Sequence, residues 1–313
     1  MSASISLLLI GETADSIRSR LAGFAGQDPG LEVVIVDRTE GFVAAGVAEE
    51  FAQAFPVTVL RQGPASLAMA GNLAVFGASA PILLLLDPEA TPESGLAAAH
   101  VAAHRRASEA NAVIGTVSAG SSNALGHALL GDRPRLFSFG WRESTPRIPA
   151  RGEAWGGSVS VRRDFLIRHG LFDPLGRPGF EDVEWAWRLC ERPLAPVFAP
   201  EARMRLTGSE SVDDYLARAF RHGLQEDLQR HGRRRSLADR IGRPADWLNR
   251  RKMRTVGATA LFAAARQAEA ERPGSPMAVR ALLTALFAAW REGRSDAIRR
   301  QTDAARSSLS PGD

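Results

Sequence analysis

ILLLLDPEATP, residues 82–92, is the stretch that decides the fold. Ile82–Leu86 is an unbroken apolar run of strand length. Continuous rather than alternating hydrophobicity marks a strand buried on both faces, as in the middle of a parallel sheet. Asp87 follows at once, and a carboxylate at the end of a buried strand must reach solvent, a partner or a ligand. Pro88 favours extended backbone at Asp87, and residues i and i+2 of an extended chain point to the same side. Asp87 and Glu89 can therefore converge on one cation, and carboxylate oxygens suit Mg²⁺ or Mn²⁺, which also bind diphosphate oxygens. The same three residues also read as an ordinary solvated turn.

On either side the pattern repeats. Strands are expected at Ile5–Ile10, Leu31–Val36, Val57–Leu60 and Ala112–Val117, with helices at Thr13–Gly23, Gly41–Phe55, Ala65–Ser79 and Glu93–Arg106. Apolar strands alternating with helices predict a parallel sheet covered on both faces. Ser118–Arg151 is rich in Gly, Ser and Pro, with a strand candidate at Arg135–Gly140, and reads as the rim of a site. Regular structure resumes with a strand at Gly157–Arg162, a short helix at Arg163–His169, a helix at Glu181–Glu191, a short strand at Pro196–Phe198 and a helix at Val212–Arg230. Asp37 closes the second strand as Asp87 closes the fourth. In open parallel sheets, ligands bind beyond these carboxyl ends. Glu181 and Asp182 begin a helix, where the dipole stabilises carboxylates; Gly179 also lets the loop carry one of them over a ligand, to take a proton from a hydroxyl. Arg188 fits an i,i+4 pair with Glu184.

The chain has 313 residues and a formal charge of +4, with arginine supplying nearly all the positive charge and Lys252 as the sole lysine. One cysteine, Cys190, excludes an internal disulfide and a multi-cysteine zinc site. Ile5–Ile10 lacks the preceding basic residues of a signal peptide, and no apolar run approaches the roughly 20 residues of a membrane span. A cytoplasmic location is expected, with peripheral contact at the inner face of the membrane as an option. Arg230–Arg254 reads either as a solvated helical surface or as a contact for anionic lipid headgroups, at about 1 kcal/mol per basic residue. Aromatics are sparse there and no nucleic-acid motif is present, so no nucleic acid is expected. Val279, Leu282, Leu283, Leu286, Phe287 and Trp290 form one helical stripe, suited to covering a neighbouring helix or the partner in a homodimer. The expected division is 1–230 and a basic, helical extension, 231–313.

In this order the pieces resemble the family 2 glycosyltransferases of the GT-A fold, over roughly Ile5 to Leu224. Leu31–Asp37 is similar to that family's second strand with its nucleotide-contacting aspartate. Gln62–Ala78, containing Asn72, is similar to the helix before the metal strand, and Ile82–Pro92 to the DxD-type strand and turn. WGGSVSVRRD, Trp155–Asp164, is similar to the glycine-rich strand facing the donor sugar. GLFDPLGRPGFEDVEWAWRL, Gly170–Leu189, matches most specifically, with Phe172-Asp173 and Glu181-Asp182 at the family's usual separation.

The resemblance implies a Rossmann-like, mostly parallel α/β sheet with helices on both faces. It implies an inverting enzyme that moves a sugar from a nucleotide-diphosphate donor to a saccharide, lipid-linked or small-molecule acceptor, as in surface polysaccharide synthesis. Asp87 and Glu89 would hold a divalent cation, Mn or Mg. Asp182 would be the general base, with Glu181 positioning it. Asp37, Asn72, Asp87, Trp155, Gly156 and Gly157 would line the nucleotide-sugar site. The family's histidine after the last sheet strand is Leu206 here, which predicts weaker metal binding, and Gly11-Glu12-Thr13 stands where the family often has Pro and an aromatic. A degenerate GT-A-fold scaffold without turnover is the alternative, and a sugar nucleotidyltransferase a more distant one.

Overall fold

The computed structural model describes residues 3–10, 13–26, 30–63, 66–86, 90–108, 111–119, 158–174, 185, 188–189, 192, 194–206, 211–217, 219–220, 223 and 257–309. The strand candidate at Arg135–Gly140 and the arginine-rich Arg230–Arg254 lie outside these residues. The chain divides into two compact units, Met1–Ser122 with Leu129–Gly208, and Asn123–Ala128 with Ser209–Asp313.

The first unit is built on an eight-stranded sheet. In chain order its elements are β1 (Ile5–Ile10), α1 (Ala14–Phe24), β2 (Leu31–Asp37), α2 (Ala44–Phe51), β3 (Val57–Arg61), α3 (Leu67–Gly77), β4 (Ile82–Leu86), β5 (Ala90–Pro92), α4 (Leu96–Arg106), β6 (Ala112–Ala119), β7 (Ser158–Arg162), α5 (Arg163–His169) and β8 (Pro196–Leu206). The strand order is β3-β2-β1-β4-β7-β6-β8-β5. β3, β2, β1 and β4 are mutually parallel, β7 runs against β4 and β6, β8 is parallel to β6, and β5 is antiparallel to β8. The mostly parallel sheet read from the apolar runs is therefore present, with two reversed strands.

Two apolar cores sandwich the sheet. On one face Ile17, Leu21 and Phe24 of α1 and Val47 of α2 pack on Leu7, Leu9, Val33 and Ile35. On the other, Ala70, Ala74 and Val75 of α3 and Phe165 and Leu166 of α5 pack on Leu8, Val34, Leu83 and Val159. Successive strand residues feed opposite faces, so both must be apolar. Polar contacts fix the ends. Glu32 accepts hydrogen bonds from Ser6 Oγ, from Ser79 N at 2.6 Å and from Ala80 N at 2.9 Å, pinning the turn into β4. Arg162 donates to the carbonyls of His104 and Ser108 at the end of α4, and Arg163 to that of Val75 at the end of α3. The adjacent arginines thus serve the negative ends of helices on opposite sides of the sheet.

β5 was read as part of a turn and β8 as ending at Phe198; both differences have one cause. Pairing between β6 and β8 breaks at Gly115, where one residue of β6 faces four of β8, between Phe198 and Arg203. A side chain at 115 would strike the carbonyl of Ala202 and stand 2.6 Å from Ser158 Oγ, so only glycine fits this crease. A bulge of this kind bends the strand and sharpens its twist. The bend is also required by reach. In a flat sheet β5 would lie four strand spacings from β4, about 19 Å. Residues 87–89 let Leu86 and Ala90 stand at most about 14 Å apart.

In the second unit α6 (Ala258–Glu271) packs along α7 (Pro276–Leu309). Val279, Leu282 and Leu286 of the sequence stripe are buried, and the rings of Phe287 and Trp290 meet at 5.7 Å. Leu283, Phe287 and Trp290 are half-buried. No helix among the described residues is long and apolar enough to cross a membrane.

Candidate functional site at the carboxyl edge of the sheet

Strand direction brings Asp37 and the described ends of β4 and β8 to one edge of the sheet. Asp37 ends β2 and Leu86 ends β4, with β1 between them. At about 4.8 Å per strand, their strands stand about 10 Å apart. Because β7 is reversed, its first residue, Ser158, pairs with Leu86. Leu206, at the end of β8, pairs with Ala90 and with Ala119. Thus Leu86, next to Asp87, and Ser158, next to Gly157, are paired strand neighbours, and Ala90, next to Glu89, is paired with Leu206. Asp87, Glu89, Trp155, Gly156, Gly157, Glu181 and Asp182 themselves lie outside the described residues.

Asp37 is only 3% exposed. Its Oδ1 accepts from Thr39 N at 2.9 Å and Thr39 Oγ1 at 2.7 Å, and its Oδ2 from Ala44 N at 2.7 Å. Burial works to raise its pKa, but hydrogen bonds from Ala44 and Thr39 and the charge of Arg61 outweigh that and hold the carboxyl below its usual range. A carboxylate offers about four acceptor sites, so about one remains for a ligand. The loop it organises carries Phe42 at φ +48°, with the Arg61 guanidinium 3.6 Å above its ring.

Asn72 is a clamp. Its Nδ2 donates to Phe172 O and its Oδ1 accepts from Phe172 N, both at 2.8 Å, one hundred residues away in sequence. Gly71 beside it leaves room for the Phe172 ring, which a Cβ there would meet at 2.7 Å. That ring stacks on Trp185 at 4.9 Å. Ser66, the N-cap of α3 at the carboxyl edge, lies 3.5 Å from Pro174 O. Residues 172–174 therefore run along α3 towards the edge. Arg188 donates to Leu171 O at 2.6 Å; its expected partner Glu184 lies outside the described residues. Both stems of the segment containing Glu181 and Asp182 are thus held, one on Asn72 and one by Trp185 and Arg188.

Beneath β7 lies a buried histidine–serine network that sequence reading missed. His100 Nε2 is 2.8 Å from Ser158 Oγ, His100 Nδ1 is 2.8 Å from Ser160 Oγ, and His104 Nε2 is 3.0 Å from Ser160 Oγ. Burial, then the neighbouring His104, push the His100 pKa down to about 3, so its ring is neutral. The four residues fix the strand that follows Gly157. The available signal was the i,i+4 histidines of α4 and the i,i+2 serines of β7. Arg20 was missed as well. It shares the α1 face of Ile17, Leu21 and Phe24, and a charge in such a stripe is the sign that could have found it.

The donor set bears on a metal. The described residues hold no group of three His, Cys, Asp or Glu able to bind one. Strand pairing puts Leu206 beside Ala90, one residue from Glu89, and its aliphatic side chain offers no ligand atom. The oxygen donors next to this edge in sequence are the carboxylates of Asp87 and Glu89, whose hardness fits Mg²⁺ or Mn²⁺.

No protein-family model matches the chain, and no curated protein sequence matches it. Among solved structures it is similar to the mannosyltransferase PcManGT from Pyrobaculum calidifontis, in complex with GDP-Man and Mn²⁺, at 18% identity and a TM-score of 0.53, over 100% of this chain and 89% of that one. It also matches S. aureus TarS 1–349 at 16% identity and a TM-score of 0.49, over 99% and 93% of the two chains. A third match is GalNAc-T7 with UDP, GalNAc and Mn²⁺, at 14% identity and a TM-score of 0.49, over 73% and 51%. The shared architecture, a mixed α/β sheet with helices on both faces, is the GT-A fold, followed here by C-terminal helices.

Proposed function

We propose that the chain is an inverting, metal-assisted glycosyltransferase using a nucleotide-diphosphate sugar. One observation carries the reading. The strand register pairs Leu86, the residue before Asp87-Pro88-Glu89 in sequence, with Ser158, the residue after Trp155-Gly156-Gly157. The mannosyltransferase whose fold it shares was solved with GDP-Man and Mn²⁺.

In this reading Asp87 and Glu89 hold the cation, which when bound offsets negative charge on the departing diphosphate. Asp37 contacts the nucleotide through its remaining acceptor site and shapes the loop beside it. Gly156 and Gly157 allow the backbone to approach the donor sugar closely, and Trp155 offers a stacking surface. Asp182 accepts the proton of the acceptor hydroxyl, with Glu181 orienting it, while that oxygen bonds to the anomeric carbon. The bond from that carbon to the diphosphate oxygen breaks on the opposite face, and the configuration inverts. Asn72 holds the stem of the segment bearing the base.

The test is a thermal-shift screen of UDP-, GDP-, dTDP- and CDP-sugars with and without Mn²⁺, since a ligand of the folded state raises stability by mass action. One donor class should shift wild type in a Mn²⁺-dependent way and fail with Asp87→Ala. With that donor, Asp182→Asn should abolish turnover and keep binding. Turnover that survives Asp182→Asn would remove the base assignment. A scaffold without turnover is the second reading, favoured by Leu206 at the expected histidine position. It predicts donor binding with neither transfer nor hydrolysis in wild type.

A further inference from the structure

Asp37 and Arg61 are direct partners across the parallel pair of β2 and β3, so their side chains leave the same face of the sheet at its carboxyl edge. On that face the Arg61 guanidinium lies 3.6 Å from the centroid of the Phe42 ring. Phe42 is the one non-glycine with positive φ among the described residues. For a bulky side chain that conformation is strained, and it persists only where other contacts impose it. Thr39 imposes it here: its carbonyl accepts from Phe42 N and its Oγ1 from Val43 N, both at 3.3 Å, while the hydroxyl itself donates to Asp37. The carboxylate at the strand end thus fixes the ring on which Arg61 rests. Arg61 is exposed, and a guanidinium stacks on flat nucleobases as readily as on aromatic rings.

Gln62, the next residue, donates its backbone N–H to Asp37 O at 3.0 Å. Its side-chain Oε1 is buried and has no hydrogen-bond partner among the described residues. A buried acceptor without a donor is costly, so a ligand that brings one gains by it. The stretch after β1, where the sequence resemblance expects an aromatic, offers Thr13 instead, and its hydroxyl is used to cap α1 by accepting from Ser16 N. We propose that the end of β3 is the nucleobase seat: the base stacks on the Arg61 guanidinium, backed by Phe42, and gives an N–H to Gln62 Oε1. The proposal rests on the donor-site reading above. Phe42 holds the guanidinium in place before the ligand arrives, which spares the cost of ordering a long side chain on binding.

The test uses the full chain with Mn²⁺ and isothermal titration calorimetry. UDP, GDP, CDP, dTDP and ADP are the probes, with inorganic pyrophosphate as the probe that has no base. The nucleotide that wild type binds best should bind at least tenfold more weakly to Arg61→Met and to Phe42→Leu, with pyrophosphate affinity unchanged in both. Arg61→Lys keeps the charge without the plane and should stay as weak as Arg61→Met. Gln62→Met should also lose at least tenfold, yet its urea midpoint should rise, because the buried acceptor is gone; a purely structural glutamine would lower the midpoint when replaced. Phe42→Leu and Gln62→Met serve if Arg61→Met does not fold. Wild-type nucleotide affinity in these variants would overturn the proposal. Recovery in Arg61→Lys, or equal losses for nucleotide and pyrophosphate in Arg61→Met, would also overturn it, by making Arg61 a charge for the phosphates. If wild type binds pyrophosphate as well as any nucleotide, there is no base seat and this proposal alone fails. If wild type binds neither, the donor-site reading fails and the base seat falls with it.

Discussion

Acid should weaken the first unit through His100, and the size of the effect follows from its burial. In the unfolded chain this histidine titrates near pH 6.5. In the folded chain burial and His104 lower its pKa to about 3. Between these values the unfolded state binds a proton that the folded state refuses, so stability present above pH 6.5 is lost as the pH falls towards 3. Integrating the linkage from pH 7 to pH 5 gives a loss of about 2 kcal/mol from this residue. The figure barely depends on the folded value, because pH 5 lies well above it. Urea unfolding at constant ionic strength, from pH 7.5 to 4.5, should be followed in wild type and His100→Gln. The amide retains a donor and an acceptor for Ser158 and Ser160 but does not titrate. The variant should be less stable at pH 7, by about 1–3 kcal/mol for imperfectly replaced buried hydrogen bonds. Its stability should fall less between pH 7 and 5 than that of wild type, by about 2 kcal/mol. Parallel profiles for the two proteins would refute a neutral buried His100.

Other substitutions probe the scaffold of the site. Asn72→Asp keeps the acceptor for Phe172 N but turns a carboxylate oxygen towards Phe172 O, and should lower unfolding stability without ligand by about 2 kcal/mol. A drop seen only in the presence of donor would assign Asn72 to ligand contact alone. Gly71→Ala forces a methyl into the Phe172 ring and should cost about 1–3 kcal/mol, measured by urea midpoint, with added mobility of Trp185 visible in its fluorescence. Glu32→Gln should cost about 2 kcal/mol at pH 7, as the bonds from Ser6, Ser79 and Ala80 lose their charge. Burial tends to raise the Glu32 pKa, but those bonds win and lower it, so its contribution is present at neutral pH and lost in acid. The gap between Glu32→Gln and wild type should therefore narrow as the pH falls below the ordinary glutamate range.

The central strands were legible because burial on both faces leaves no room for polar residues, as in Ile82–Leu84 and Val33–Val36. Where pairing alone makes the strand, the sequence was silent. Ala90-Thr91-Pro92 has little strand propensity and becomes one by lying against Met204–Leu206, with its proline tolerated at a sheet edge. The rest of β8 carried its alternation, Ala202 and Met204 buried and Arg203 and Arg205 exposed, behind the break at Pro200. The reversal of β7 was hidden, since an apolar strand reads the same in both directions. At the site, Asp37 was legible from its place after an apolar run. The donors that fill its carboxylate come from Thr39 and Ala44, and only the fold of the loop brings them there. The same holds for Asn72, whose partner is one hundred residues distant.

The crease at Gly115 makes the stretch after β4 a strap of fixed length. Substitutions within residues 87–89 change its chemistry and leave its reach alone. A deletion there would shorten the span by about 3.5 Å and would pull β5 off β8 or force a sharper bend. Lineages and designers alike can therefore vary which side chains this strap carries far more freely than how many, and new length in this chain belongs in other loops.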